Sequence, residues 1–316
     1  MLKTLIYSII HSLILLVPIL ISVAYLTLAE RKILGYSQSR KGPNVVGIYG
    51  ILQPLADGVK LFTKELLIPN HVNIYFYLLS PILALTISLL VWFLFPWNMH
   101  VPFSPLLSLI MLLALSSIGI YSLLLSGWSS NSKYAFLGSI RAAAQMISFE
   151  VSLGLIFLIF VLITKSLNVK NFVDYQTFSG FLIFSLWPLA ILFFISSLAE
   201  TNRAPFDLTE GESELVSGYN VEYSSMSFAL FFLAEYSHII FMSYFFTLLF
   251  LANLNHIFFC LMGSLITFLF IWIRTSFPRL RYDQLMHLLW KRFLPLSIFL
   301  VMLVNSIIWA FNSALI

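Results

Sequence analysis

Long apolar runs separated by short polar stretches fill this chain from end to end. A bilayer core about 30 Å thick needs roughly 20 apolar residues in a helix to cross it. Eight runs meet that length: 4–29, 71–95, 102–126, 138–164, 177–199, 224–252, 254–275 and 293–313. Hydrocarbon offers backbone groups no water to bond, so each run is expected to be helical. The segment Ile48–Pro69 follows a different pattern. Ile48, Leu52, Leu55, Val59 and Phe62 recur at three- and four-residue steps, and Gln53, Asp57, Lys60 and Lys64 keep the same steps on another face. This predicts an amphipathic helix in the membrane interface; a loop helix that anchors the first span fits the pattern equally well. The expected fold is all-α: a single membrane domain over 1–316, with about eight transmembrane helices plus an amphipathic interfacial helix after the first.

Charge decides which way the spans point. Of the 17 lysines and arginines, only Lys3, Lys165 and Lys170 fall on one side. The other fourteen lie in the loops after spans one, three, five and seven (30–70, 127–137, 200–223 and 276–292) or at the span ends beside them. An excess of basic residues marks the inner side. Those loops are expected to face the matrix or cytoplasm, with both termini on the other side. Asp174 is the one acid on the outer side, so function is expected at the inner face and the inner half of the membrane.

Composition removes many alternatives. The 316 residues are 60% hydrophobic and 9% charged, where a soluble domain is nearer a quarter charged. A mean hydropathy of +0.96 leaves no room for a sizeable water-soluble domain. Cys260 is the single cysteine, which excludes an intrachain disulfide, a Cys₄ zinc site and an iron–sulfur cluster. A net charge of +4 gives no nucleic-acid footprint. Metal and haem ligands are not expected either: His11 and His238 sit at different depths, and His71, His100, His256 and His287 lie near span ends or in loops. No phosphate-binding glycine loop occurs. The first apolar run is too long for a signal-peptide core and has no small-residue cleavage site, so the chain is expected to be inserted from the compartment where it is made, or to be bacterial.

Against this background the buried acids stand out. A charge at mid-bilayer costs roughly 2.5–3.5 kcal/mol, so it usually faces the protein interior and marks an ion or substrate path. Glu150 lies near the middle of the fourth run, Glu235 within the sixth beside Tyr236 and His238, and Glu200 at the inner end of the fifth. Burial is expected to move their proton affinity toward neutrality and allow proton transfer. A buried ion pair that only fixes helix packing is the alternative. The third inner loop adds Asp207, Glu210, Glu212, Glu214 and Glu222 against one base, Arg203. Thr209-Glu210-Gly211-Glu212 matches a capping box, so Glu212 has a bland role available. The basic groups Arg31, Lys32, Arg40, Lys41, Arg274, Arg279 and Arg281 suit lipid headgroups by default. These features together fit a transporter, a channel or a subunit of a proton pump.

Four blocks carry a resemblance. The first is Glu30-Arg31-Lys32-Ile33-Leu34-Gly35-Tyr36 with Arg40-Lys41-Gly42-Pro43-Asn44, continuing through Gln53-Pro54-Leu55-Ala56-Asp57-Gly58-Val59-Lys60 and Lys64-Glu65. The second is residues 134–151 with Arg141, Gln145 and Glu150. The third is Ala199-Glu200-Thr201-Asn202-Arg203-Ala204-Pro205-Phe206-Asp207-Leu208, running on through Glu210 to Gly218. The fourth is Trp272-Ile273-Arg274-Thr275-Ser276-Phe277-Pro278-Arg279 and on to Met286. In this order, and over nearly the whole chain, they resemble the chain 1 family of respiratory complex I, with the length and low charge of its mitochondrially encoded members.

The resemblance implies a place in the mitochondrial inner membrane, at the heel of the membrane arm. It implies quinone-reducing peripheral-arm subunits on the inner (matrix) face, small membrane-arm subunits alongside, and membrane lipids as neighbours. Ubiquinone is the implied substrate. NADH, FMN and iron–sulfur clusters belong to partner subunits, and no cofactor or metal is implied for this chain. By family match Glu30, Arg31, Arg40, Asp57, Lys60, Arg203, Arg274 and Arg279 line or support the quinone tunnel, with Phe228 and Phe232 at its mouth. Glu150, Glu200, Asp207, Glu210, Glu212, Glu214 and Glu235 match an acidic channel that couples quinone reduction to proton translocation.

Overall fold

A computed structural model describes residues 2–96, 106–207, 218–252 and 255–314, with side chains between 12 and 310. No strand occurs among the described residues. Seven helical segments among them are long and apolar enough to cross a membrane: Ser12–Ser37, Ile74–Leu94, Ser108–Ser129, Lys133–Thr164, Ser225–Leu251, His256–Ser276 and Tyr282–Ala310. The acidic residues Glu210, Glu212 and Glu214, and the turn around Trp97–His100, lie outside the described residues.

The helices are α1 (Leu2–Ser37), α2 (Gln53–Thr63), α3 (Ile74–Val91), α4 (Ser108–Ser129), α5 (Lys133–Thr164), α6 (Val169–Ser179), α7 (Leu182–Ser185), α8 (Trp187–Glu200), α9 (Ser225–Leu251), α10 (His256–Ser276), α11 (Tyr282–Leu288) and α12 (Leu294–Ala314). A π-helical turn, Leu289–Phe293, joins the last two. Serines and threonines within the spans mostly turn their hydroxyls back to carbonyls three or four residues earlier, as Ser22, Ser152, Ser196 and Ser243 do. Each hydroxyl is thereby satisfied inside its own helix.

Two stretches depart from the sequence expectation. The run 177–199 is not one helix. Gly180, at φ 81°, ends α6, and α7 stops at Leu186, just before Trp187-Pro188. Leu186 leaves helical backbone (φ −118°, ψ 36°), and proline has no N–H to bond the preceding turn, so α8 starts afresh with Pro188 in its first turn. At about 1.5 Å per residue α8 alone rises roughly 21 Å, short of a bilayer core. The amphipathic helix is also shorter than 48–69: α2 begins next to Pro54 and ends at Lys64, whose backbone is extended. Leu55, Val59 and Phe62 are exposed on it, the face an interfacial helix turns to lipid.

Loop hydrogen bonds gather the helix ends at two poles. Asn73 N–H bonds Ser129 O at 3.0 Å, joining the start of α3 to the end of α4. Leu109 N–H bonds Leu167 O, joining the start of α4 to the end of α5 at the opposite pole. There Gln176 of α6 donates to Leu248 O (3.0 Å) and Leu249 O (2.8 Å) and accepts from Ala252 N–H (2.8 Å). A helix end leaves carbonyls without partners, and this one side chain serves three backbone groups at the end of α9.

The core centres on α9. Phe241, Phe245, Phe246 and Phe250 pack with Phe157, Phe160 and Phe193 of α5 and α8 at ring separations of 4.9–6.2 Å. Near the other end of α9, Tyr223 stacks on Tyr77 (4.3 Å, 6°), and Tyr77 donates to Glu222 O at 2.7 Å. Burial pushes the Tyr223 hydroxyl above its ordinary proton affinity, although Ser129 and Ser80 bond it. These contacts fix the approach to α9, and with it the site.

Candidate functional site

The acids of the fifth and sixth runs converge on a cavity of about 90 Å³ between α3, α4, α8 and α9, and the acid of the fourth stands behind its wall. Glu200 and Glu235 line it, with His238, Tyr219 and Ser116. Glu150 of α5 accepts hydrogen bonds from Ser116 (3.3 Å) and from Ser117 of α4. Tyr219, in the 3₁₀ turn Gly218–Asn220, donates to Glu235. That turn lies against Gly138 of α5, where a Cβ would come within 3.1 Å of the Gly218 backbone and the turn would have to give by a few tenths of an ångström. Glu200 is buried at 4% exposure, its Oε1 is 3.7 Å from His238 Nε2, and its Oε2 has no hydrogen-bond partner. Asn202 Oδ1, on the same cavity, also lacks one. Buried polar atoms are normally satisfied by protein or water, so this hollow suits a few water molecules.

A second cluster occupies the other flank of α9. Glu30 of α1 is 4% exposed. It pairs with Arg274 of α10 and with Arg203 (3.2 Å), and accepts a hydrogen bond from Tyr236. The Arg203 guanidinium lies 4.4 Å over the Tyr236 ring. Burial works against the Arg203 charge, but Glu30, Tyr236 and Glu235 outweigh it and raise its pKa above the ordinary arginine value. Arg203 therefore feels both clusters. Phe228, Phe232 and Tyr236 recur every four residues and stack in sequence along α9, with centroids 4.4 and 6.3 Å apart. They form an aromatic ladder that ends at Glu30.

A larger, mostly apolar groove of about 550 Å³ runs between α1, α9 and α10, past Leu15, Pro18, Tyr25, Ile240 and Tyr244. Leu26 lines both this groove and the small hollow that holds Glu30, Arg203 and Arg274. The apolar groove thus leads to a charged end.

The remaining candidates lie apart from these clusters. Arg31 pairs with Asp57 at 2.6 Å on the surface, tying α1 to α2. Arg40 is exposed and donates to its neighbour Gln38. Lys60 is exposed in the last turn of α2, where a positive charge suits the helix dipole. Arg279 pairs with the buried Asp207 at 3.2 Å, and Leu280 N–H bonds Pro205 O. These two contacts lock the loop after α8 to the segment after α10.

The pattern of a family described as NADH dehydrogenase matches residues 10–305. NADH-ubiquinone oxidoreductase chain 1 of Metridium senile is 58% identical, covering 97% of this chain and 95% of the relative. The protein of that name from Branchiostoma lanceolatum is 53% identical, covering 97% and 98%. The one from Osphranter rufus is 54% identical, covering 95% and 96%. This chain belongs to the NADH dehydrogenase family.

In this NADH dehydrogenase chain, sequence reasoning missed the hydroxyl donors. Ser116, Ser117 and Tyr219 hold two of the acids, yet spans rich in serine gave no sign of which serines leave their own helix. Tyr236 and His238 were visible beside Glu235, and three-residue spacing would have put His238 on the Glu235 face.

Proposed function

We propose that this chain is a core membrane subunit of NADH-ubiquinone oxidoreductase, in the mitochondrial inner membrane with its basic loops toward the matrix, that guides ubiquinone and couples its reduction to proton movement. One observation carries this reading: α9 presents Tyr236 to the Glu30–Arg203–Arg274 cluster and Glu235 to the acidic cavity, and Arg203 interacts with both. A long isoprenoid tail needs an apolar slot, and the groove along α1 supplies one that ends at arginines. NADH, FMN and iron–sulfur clusters would be held by partner subunits of the peripheral arm, which deliver the electrons.

The coupling follows from charge. Reduction of a quinone adds electrons and draws protons, so negative charge appears near the arginines. Arg203 then shares its positive charge between that anion, Glu30 and Glu235. Any share withdrawn from Glu235 makes that carboxylate hold a proton more tightly. The proton comes from the cavity, and Glu200 and Glu150 exchange in turn through waters and the hydroxyls of Tyr219 and Ser116.

The test is Glu150→Gln in the assembled complex, with quinone reduction and proton pumping measured together. Pumping is expected to fall at least tenfold. Unimpaired pumping at normal turnover would remove Glu150 from the relay.

A further inference from the structure

The acidic cavity contains one titratable group that a purely carboxylate route leaves unused. His238 follows Glu235 by three residues on α9, and both face the hollow. Its Nε2 is 3.7 Å from Glu200 Oε1, beyond a direct hydrogen bond but within ion-pair range; a small side-chain swing makes the bond direct, and a swing apart admits one water. Glu200 is nearly fully buried, with Oε2 unpartnered. An anion there carries a desolvation penalty unless a cation stands beside it.

The groups that face His238 are few. Glu200 comes from α8, Glu235 from its own helix and Tyr219 from the turn Gly218–Asn220. From α3 and α4 come Ser88, Ser116, Ser122 and aliphatic side chains, and from α5 Met146, none of them titratable. Glu150 stands behind Ser116, and the charge of Arg203 reaches the cavity through Glu235. Among these cavity-lining groups, His238 is the one that gains positive charge when it binds a proton.

We infer that His238 and Glu200 form a proton-sharing pair, and that His238 is a proton-carrying station between Glu200 and Glu235; this rests on the relay reading above. The step balances simply. Imidazolium Nε2–H gives its proton to the Glu200 carboxylate, through a bridging water or after a small side-chain swing, leaving neutral imidazole and carboxylic acid. The pair is neutral overall on both sides of the transfer, so neither state leaves a net charge in the low-dielectric interior. Loss of one more proton makes the pair −1, and gain of one makes it +1. The pair can therefore accept from one neighbour and release to another.

Two measurements test this on the assembled complex. The first is an infrared pH titration with isotope-labelled histidine. Glu200→Gln should change the infrared titration of one histidine, through loss of an adjacent anion, and His238→Asn should abolish that histidine's signal. An unchanged titration of every histidine in E200Q overturns the pairing, and this arm stands even where H238N fails to assemble. The second is proton pumping per electron across roughly pH 6–8, the range in which histidine titrates. H238N and H238Q should lower the ratio severalfold and flatten its pH profile; a native ratio and profile overturn the station. Loss of pumping in Glu150→Gln with native pumping in H238N discards His238 and leaves the carboxylate relay standing. Native pumping in both discards the relay as well.

Discussion

Glu30 holds two arginines and a tyrosine at a place where water is scarce. Removing the anion would strand both cations, and breaking a buried pair in this way costs about 3–5 kcal/mol. Glu30→Gln keeps the shape and a hydrogen-bond acceptor for Tyr236. It is nevertheless expected to lower the melting temperature of the purified complex by several degrees and to slow quinone reduction at least tenfold. Unchanged melting and turnover would mean that the arginines have other anions. Glu30 came into view through the family resemblance, and its partners did not. Arg274 is 244 residues away, and only the packing of α1, α9 and α10 brings them together. Arg40 illustrates the reverse: equally basic, it bonds a residue two positions away and stays exposed.

At the scale of elements, apolar run length located the helices well, because hydrocarbon admits little else. The ends were harder. Helix α1 continues to Ser37, past its apolar run: residues 30–37 contain no proline, and Gly35 is kept in the helix where a Cβ would meet the Gly42 backbone at 2.9 Å, until Ser39 turns at φ 57°. The division of 177–199 at Gly180 and Pro188 was written in the sequence, yet mean apolarity alone passes over it. Junctions between elements depend on single polar side chains. Gln176→Leu would leave Leu248 O, Leu249 O and Ala252 N–H without their partner. An unsatisfied buried group costs about 1–3 kcal/mol. Faster amide hydrogen exchange is therefore expected at 248–252 and in α6, with little change at Glu30. Equal exchange in both proteins would show that water replaces the glutamine.

Over the whole molecule, the sorting of fourteen basic residues to one pole predicts a definite orientation. A single cysteine at Lys170, in a background where Cys260 is serine, is expected to react with a membrane-impermeant maleimide from the intermembrane side of intact mitoplasts. One at Arg281 is expected to react only in inverted vesicles; the opposite pattern would invert the topology. The convergence of Glu200 and Glu235 on one hollow followed from their shared depth and sign. The hydroxyls that hold Glu150 and Glu235 come from the elements just before α5 and α9, and the groove along α1 emerges only when helices distant in sequence meet. Phenylalanines grip α9 along one half of its length, and the hollows flank the other. Glu235 and Tyr236 are consecutive on α9, so one peptide unit joins the linings of the two hollows, and a backbone shift at that level would move both together.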